Sequence, residues 1–292
     1  MSTVPHADQH QFESRFGRIA AAAAIGAALL PIVSSIVLNA ALGDVGNGDR
    51  DLLVAFERQP AGVLVAAIAQ AVGTFLVAVV LYFLFRATRY RMAALPAAAL
   101  PLAIVGSLLA GLSGAGPLLV LVEVGKDFAT SGDRSEQRAE DLIRDGAYST
   151  VQYVSYAARA VLGAAFALIA LYAMRAGLLS RFMGYIGIII GVLYVLSVLL
   201  GGPSFILLFW LPALALLFLN RWPGGRGPAW DAGEAIPWPG AAEQRQALER
   251  KRTEDEDEVV PTAGGANGSG PASVDPDTPR AATPRKRKRR RR

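Results

Sequence analysis

Residues 18–42 read RIAAAAAIGAALLPIVSSIVLNAAL, and no charged side chain follows the opening arginine. As a helix rising about 1.5 Å per residue, such a run crosses the ~30 Å hydrocarbon core of a bilayer. A soluble helix keeps one polar face, whereas this one is apolar all round. Arg15 and Arg18 ahead of it also fit a cleaved signal peptide. The run exceeds the 7–15 apolar residues such a peptide uses, so the reading is a membrane span. Five similar runs follow at 62–85, 93–122, 152–174, 182–200 and 205–219. The expected fold class is therefore all-α: a polytopic transmembrane helical bundle of six spans. The third run, with Pro96, Pro101 and Pro117, is longer than one span needs. It is expected to be tilted, kinked or broken near GLSGAGP, residues 111–117.

Working outward from these runs, the organisation is a polar arm without period (1–14), a transmembrane domain (15–221), a Trp/Pro-rich juxtamembrane segment (222–240) and a charged tail (241–292) expected to be disordered. The chain is 53% hydrophobic although its last 70 residues are polar, so the apolar residues concentrate upstream. Lys and Arg in the loops set the orientation. With the N-terminus inside, inner segments hold nine basic residues and outer ones six, which places both termini in the cytoplasm of a plasma-membrane protein. The long outer loop contains SGDRSEQRAEDLIRDG (131–146), read as a capped, solvated extension of helix four, with a binding lid as the alternative. Trp222, Trp230 and Trp238 lie among Gly and Pro. They are read either as a strap lying in the headgroup layer, where indoles are favoured, or as a plain loop.

Catalytic chemistry is sought and mostly missing. With no cysteine, thiolate catalysis, iron–sulfur clusters and Cys-ligated zinc are excluded. The only histidines are His6 and His10, outside every run. GLSG (111–114) resembles the Gly-x-Ser-Gly motif of rhomboid intramembrane proteases, which would make Ser113 a nucleophile. A serine nucleophile needs a base within hydrogen-bond reach, and no histidine or lysine lies in any run. The small residues Gly106, Ala110, Gly111 and Gly114 are instead read as a close-packing helix face. Nucleotide-binding fingerprints are absent and no acidic pair sits within a run, so neither cofactor nor metal is expected.

What remains is a polar layer. Arg159 is the one charged residue well inside a run. Gln152, Tyr156 and Arg159, spaced i, i+4, i+7, share a helix face. Ser35, Gln70 and Ser113 fall at a similar depth below the outer surface, with Glu123 above them at the end of span three. A charge at this depth is paired, wetted or snorkelling. One reading is an outward-opening cavity in which Arg159 meets an anionic or amide-bearing ligand. The other is a structural arginine that snorkels or pairs with Glu123. Gly187 and Gly191 in span five permit close helix packing, read as internal to the bundle.

GLLSRFMGYIGIIIGVLYVL (177–196), followed by FWLPALALLFLNRWPGGRGPAWDAGEAIPWP (209–239), resembles multi-pass membrane proteins of high-GC Gram-positive bacteria grouped in families of unknown function. The resemblance covers residues 12–240. It implies a helical bundle and carries no catalytic residue.

The chain ends in eight consecutive basic residues: Arg285, Lys286, Arg287, Lys288, Arg289, Arg290, Arg291 and Arg292. On a flexible linker they sample the inner leaflet, where each basic residue is worth ~1 kcal/mol against anionic lipid headgroups. A solvated tail that binds nothing is the second reading, and non-specific nucleic acid ranks third, because the tip offers no aromatic residue for base stacking. The functional expectation is a non-enzymatic membrane protein with a polyanion-binding tail. The alternative is a small transporter or ligand sensor built around Arg159.

Overall fold

A computed structural model describes residues 6–144, 147–197, 204–223, 225–238, 245–246 and 249–250. The chain divides into two compact units, Met1–Trp238 and Pro239–Arg292. In the second, residues 245–246 and 249–250 are helical, and the basic tip lies outside the described residues.

The first unit is all-helical among the described residues: α1 His6–Leu42, α2 Asp49–Arg58, α3 Pro60–Arg91, α4 Ala99–Thr130, α5 Glu136–Arg144, α6 Ala147–Arg175, α7 Arg181–Val195, α8 Ser204–Phe218 and α9 Pro228–Ala232. Four of them (α1, α3, α4 and α6) are long and apolar enough to cross a membrane. α7 and α8 are apolar but have 15 residues each, about 22 Å at the helical rise. The exterior of the unit is apolar: Ile36, Val65, Ile68, Leu112, Phe182 and Phe209 are among many large hydrophobic side chains left exposed. A surface of that kind is compatible with a hydrocarbon solvent.

Several helix ends differ from the sequence expectation. Residues 6–14, read as an arm without period, begin α1, because Glu13 and Phe12 find partners on α3: Glu13 pairs with Arg91, and the Phe12 ring lies 6.0 Å from Phe83. α3 runs on to Arg91 through Arg86 and Arg89. The turn at 92–98, counted within the third run, is non-helical and contains Pro96, so α4 starts at Ala99. α4 then passes through Pro117 without interruption to Thr130. α5 is described as far as Arg144 and α6 from Ala147; residues 145–146, on which continuity with α6 depends, lie outside the described residues. Asp133 Oδ1 accepts from the Ser135 amide at 2.9 Å, and Ser135 Oγ accepts from the Arg138 amide at 3.2 Å. α2, embedded in a polar stretch, was not foreseen. Its exposed N-terminal amides of Asp49 and Arg50 donate to the Glu136 carboxylate at 2.6 and 3.3 Å, so α5 caps α2.

Neighbouring long helices run antiparallel, and α1, α3, α4, α6, α7 and α8 pack in that order, α8 closing back on α1. Glycines set the seams. A Cβ on Gly106 would sit 2.8 Å from the Leu162 backbone nitrogen, and one on Gly191 2.7 Å from the Ala167 nitrogen. α4 and α7 therefore approach α6 almost backbone to backbone. Gly187 faces Ala170 and Trp210, so the Gly187/Gly191 pair packs inside the chain.

One end of the ring is sealed by the segment after α8. Trp230 on α9 is buried, stacks 6.0 Å from Phe83 and donates to Leu178 O at 2.9 Å. It is therefore part of the core and not an interfacial indole, because the Gly- and Pro-rich chain folds back under the helices. Arg91 holds it there. Its guanidinium pairs with Glu13 at 2.6 Å and donates to the carbonyls of Ala87, Ala229 and Trp230. Arg226 lies over the Trp230 ring at 5.2 Å and donates to Leu217 O and Phe218 O, carbonyls of the last turn of α8. Burial lowers the Arg226 pKa from its ordinary value, while the carboxylates of Glu13 and Asp231 oppose the shift. The opposite end is covered by α2 and α5 through a second apolar cluster around Leu53, Phe56, Phe128 and Ala139.

Candidate ligand cavity

A cavity of about 470 Å³ lies within the ring and takes lining residues from all six of its helices. Its size falls in the range of small-molecule sites, about 300–1,000 Å³. The polar side chains in its wall are Ser35 on α1, Gln70 and Thr74 on α3, Arg159 on α6 and Tyr194 on α7. Small residues supply the remaining room: Ala27 and Ala28 on α1, Gly73 on α3, and Ala110 and Gly114 on α4. Three of the residues singled out by depth thus come together here: Ser35, Gln70 and Arg159.

The others do not. Ser113 is buried and donates to Leu109 O at 2.5 Å on its own helix, so its hydroxyl is turned away although Gly114 beside it lines the wall. Glu123 is exposed and pairs with Lys126 at 3.1 Å; it forms no ion pair with Arg159. Glu123 lies nine residues beyond Gly114, the last α4 residue in the wall, about 14 Å along the helix and so well past the cavity. Gln152 and Tyr156 lie outside the wall but form the chain expected of their spacing. Gln152 Nε2 donates to Tyr156 Oη at 2.8 Å, and the Arg159 guanidinium sits 6.0 Å from the Tyr156 ring centroid.

Arg159 lies twelve residues after Ala147, where α6 as described begins, about 18 Å along the helix. Among the described residues it has no carboxylate partner and no hydrogen bond, only the Tyr156 ring. Thr74 and Tyr194 are wall residues that the sequence reading missed. Thr74 Oγ1 donates to Gln70 O at 3.0 Å, which leaves its lone pairs available, and the Tyr194 ring packs 6.2 Å from Phe166.

Two prolines interrupt helical hydrogen bonding at residues of the same wall. Pro31 in α1 and Pro212 in α8 have no N–H to give to Ala27 O and Leu208 O four residues earlier. Ala27 and Leu208 both line the cavity. A sequence signal for this existed, since each proline lies within an apolar run, but only the ring shows that Ala27 and Leu208 line one space. The cavity thus combines one cation with hydroxyl and amide groups in an otherwise apolar enclosure.

No family model, curated protein or solved structure matches the chain.

Proposed function

We propose that the chain is a six-span plasma-membrane protein that binds a small anionic ligand at Arg159, as a transporter or ligand sensor and not as an enzyme. The observation that carries this reading is the uncompensated Arg159 guanidinium in the wall of a 470 Å³ cavity. A cation deep in an apolar bundle costs several kcal/mol unless water or an anion meets it, and such residues mark ligand paths. Shape supports the same reading, because the rest of the wall that holds Arg159 comes from the five other helices of the ring.

In this reading α7 and α8 are the fifth and sixth spans, short enough that the bilayer thins or water enters beside them. The termini and the Trp230 end face the cytoplasm, as the balance of loop charges favours. Reporter fusions after Trp222 and at Ser135 test the topology. The first should report inside and the second outside; the reverse result would overturn the orientation.

Ligand binding is tested by thermal unfolding of the purified protein across a panel of anions. A ligand at a hundred times its Kd stabilises by about 2.7 kcal/mol. That shift should vanish in Arg159→Gln. If no anion moves the wild-type Tm and Arg159→Gln is more stable than wild type, the arginine is a snorkelling residue and the proposal fails.

The eight basic residues at the C-terminus favour a second role, a reversible tether to anionic lipid headgroups. Co-sedimentation with phosphatidylserine vesicles should fall when residues 285–292 are deleted; unchanged sedimentation would remove the tether.

A further inference from the structure

The reading of the cavity as a ligand site leaves open the route by which a ligand reaches Arg159, and that route bears on its chemistry. Four of the lining residues are exposed: Ile32, Ser35, Phe205 and Leu208. All four belong to α1 and α8, which are neighbours in the ring. Wall residues from α3, α4, α6 and α7 are buried or half-buried, Arg159 among the latter. The mouth therefore lies between α1 and α8, on the outer side of the bundle.

The surface around that mouth is hydrocarbon-like. Phe205 is 89% exposed, and Leu29, Val33 and Ile36 on α1 and Phe209 on α8 flank it with their side chains outward. Ile32 lies ten residues before the end of α1, about 15 Å along the helix, within its apolar run. In a membrane this opening meets acyl chains. A hydrophilic anion would have to cross hydrocarbon to reach it, at a cost no single arginine offsets. An anion that already resides in the bilayer has no such barrier.

We infer that the cavity takes a single-chain amphiphile with an anionic headgroup, a carboxylate or a phosphate, which slides in from the bilayer between α1 and α8. The headgroup meets Arg159, whose planar fork of N–H donors matches both oxyanions. Thr74 and Gln70 receive any hydroxyl the headgroup carries. The acyl chain stays along Ile32, Leu208 and Phe205 at the mouth. A cavity of 470 Å³ holds a headgroup and the first part of a chain, and two-chain lipids are disfavoured by the same limit.

The test uses the full chain in phosphatidylcholine nanodiscs, titrated with radiolabelled palmitate, lysophosphatidic acid, hexadecanol, butyrate and inorganic phosphate. Saturable binding of palmitate or lysophosphatidic acid is expected, with hexadecanol at least tenfold weaker and no saturable binding of butyrate or phosphate. Arg159→Gln should weaken the amphiphile at least tenfold, and Arg159→Lys should retain part of the affinity, which separates loss of charge from loss of fold. If butyrate or phosphate binds as tightly as the amphiphiles and Arg159→Gln abolishes it, the lipid route is overturned while the anion site stands. If the amphiphiles bind wild type and Arg159→Gln alike, or nothing binds, the ligand reading of the cavity is overturned as well.

Discussion

Arg91 has partners on every side: both carboxylate oxygens of Glu13 and the carbonyls of Ala87, Ala229 and Trp230. Both charged side chains are almost wholly buried, so removing one leaves the other without solvent. Arg91→Met should lower stability by about 3–5 kcal/mol, and Glu13→Gln by less, because glutamine keeps an acceptor. Thermal unfolding in detergent measures both; an Arg91→Met protein that melts at the wild-type temperature would show the pair to be dispensable. Arg159 stands in contrast, with a ring at 6.0 Å and no carboxylate. Its singularity was legible in the sequence, as was the depth of Ser35 and Gln70, because depth follows from counting along a run. Rotation about the helix axis does not follow from counting. Ser113 has the right depth and the wrong azimuth, while Thr74 and Tyr194 resemble any residue of an apolar helix until the ring closes around them.

The bundle is held at the scale of the element by seams that exclude even a methyl group. Gly106→Ala places its Cβ 2.8 Å from the Leu162 nitrogen, a backbone atom that cannot turn aside. It should cost about 1–3 kcal/mol as overpacking. Gly114→Ala meets nothing within 4 Å and should be neutral or stabilising, since alanine is the better helix former. Comparing the two melting temperatures checks the seam. At the far end, the Asp133 carboxyl has a lowered pKa, chiefly through the hydrogen bond from the Ser135 amide. Its folded value lies below the unfolded one, so the cap's contribution is present above the ordinary value of 3.8 and is lost as pH falls through the lowered one. The protection factor of the Ser135 amide, its exchange rate corrected for the intrinsic pH dependence of amide exchange, should fall over that acidic window, and a pH-independent protection factor would refute the cap. The apolar cores of the helices were readable from the runs alone. Their ends were not, because Glu13, Arg91 and Lys126 look like loop residues until tertiary partners or solvent-exposed helical turns accommodate them.

For the whole molecule, the first compact unit stops at Trp238. A chain ending at Trp238 should melt as the intact protein does, whereas one ending at Asn220 loses Arg226 and Trp230 and should melt well below it. Trp230→Ala alone should cost about 3–5 kcal/mol, as for a large buried aromatic. Equal melting of all these chains would mean that the fold-back segment does not seal the bundle. That segment is what the sequence disclosed least, since Trp and Pro in a glycine-rich stretch say nothing about which helices they will cover. The closure also sets an order of assembly. Synthesis proceeds from the N-terminus at roughly 5–20 residues per second. The first helix therefore leaves the ribosome well before α8, its partner in closing the ring, and before Trp230, which covers Arg91. For those seconds the nascent chain carries an open seam along α1 and an unshielded Arg91, the interval in which an insertion chaperone would find it and in which a stalled translation product would be most exposed to proteolysis.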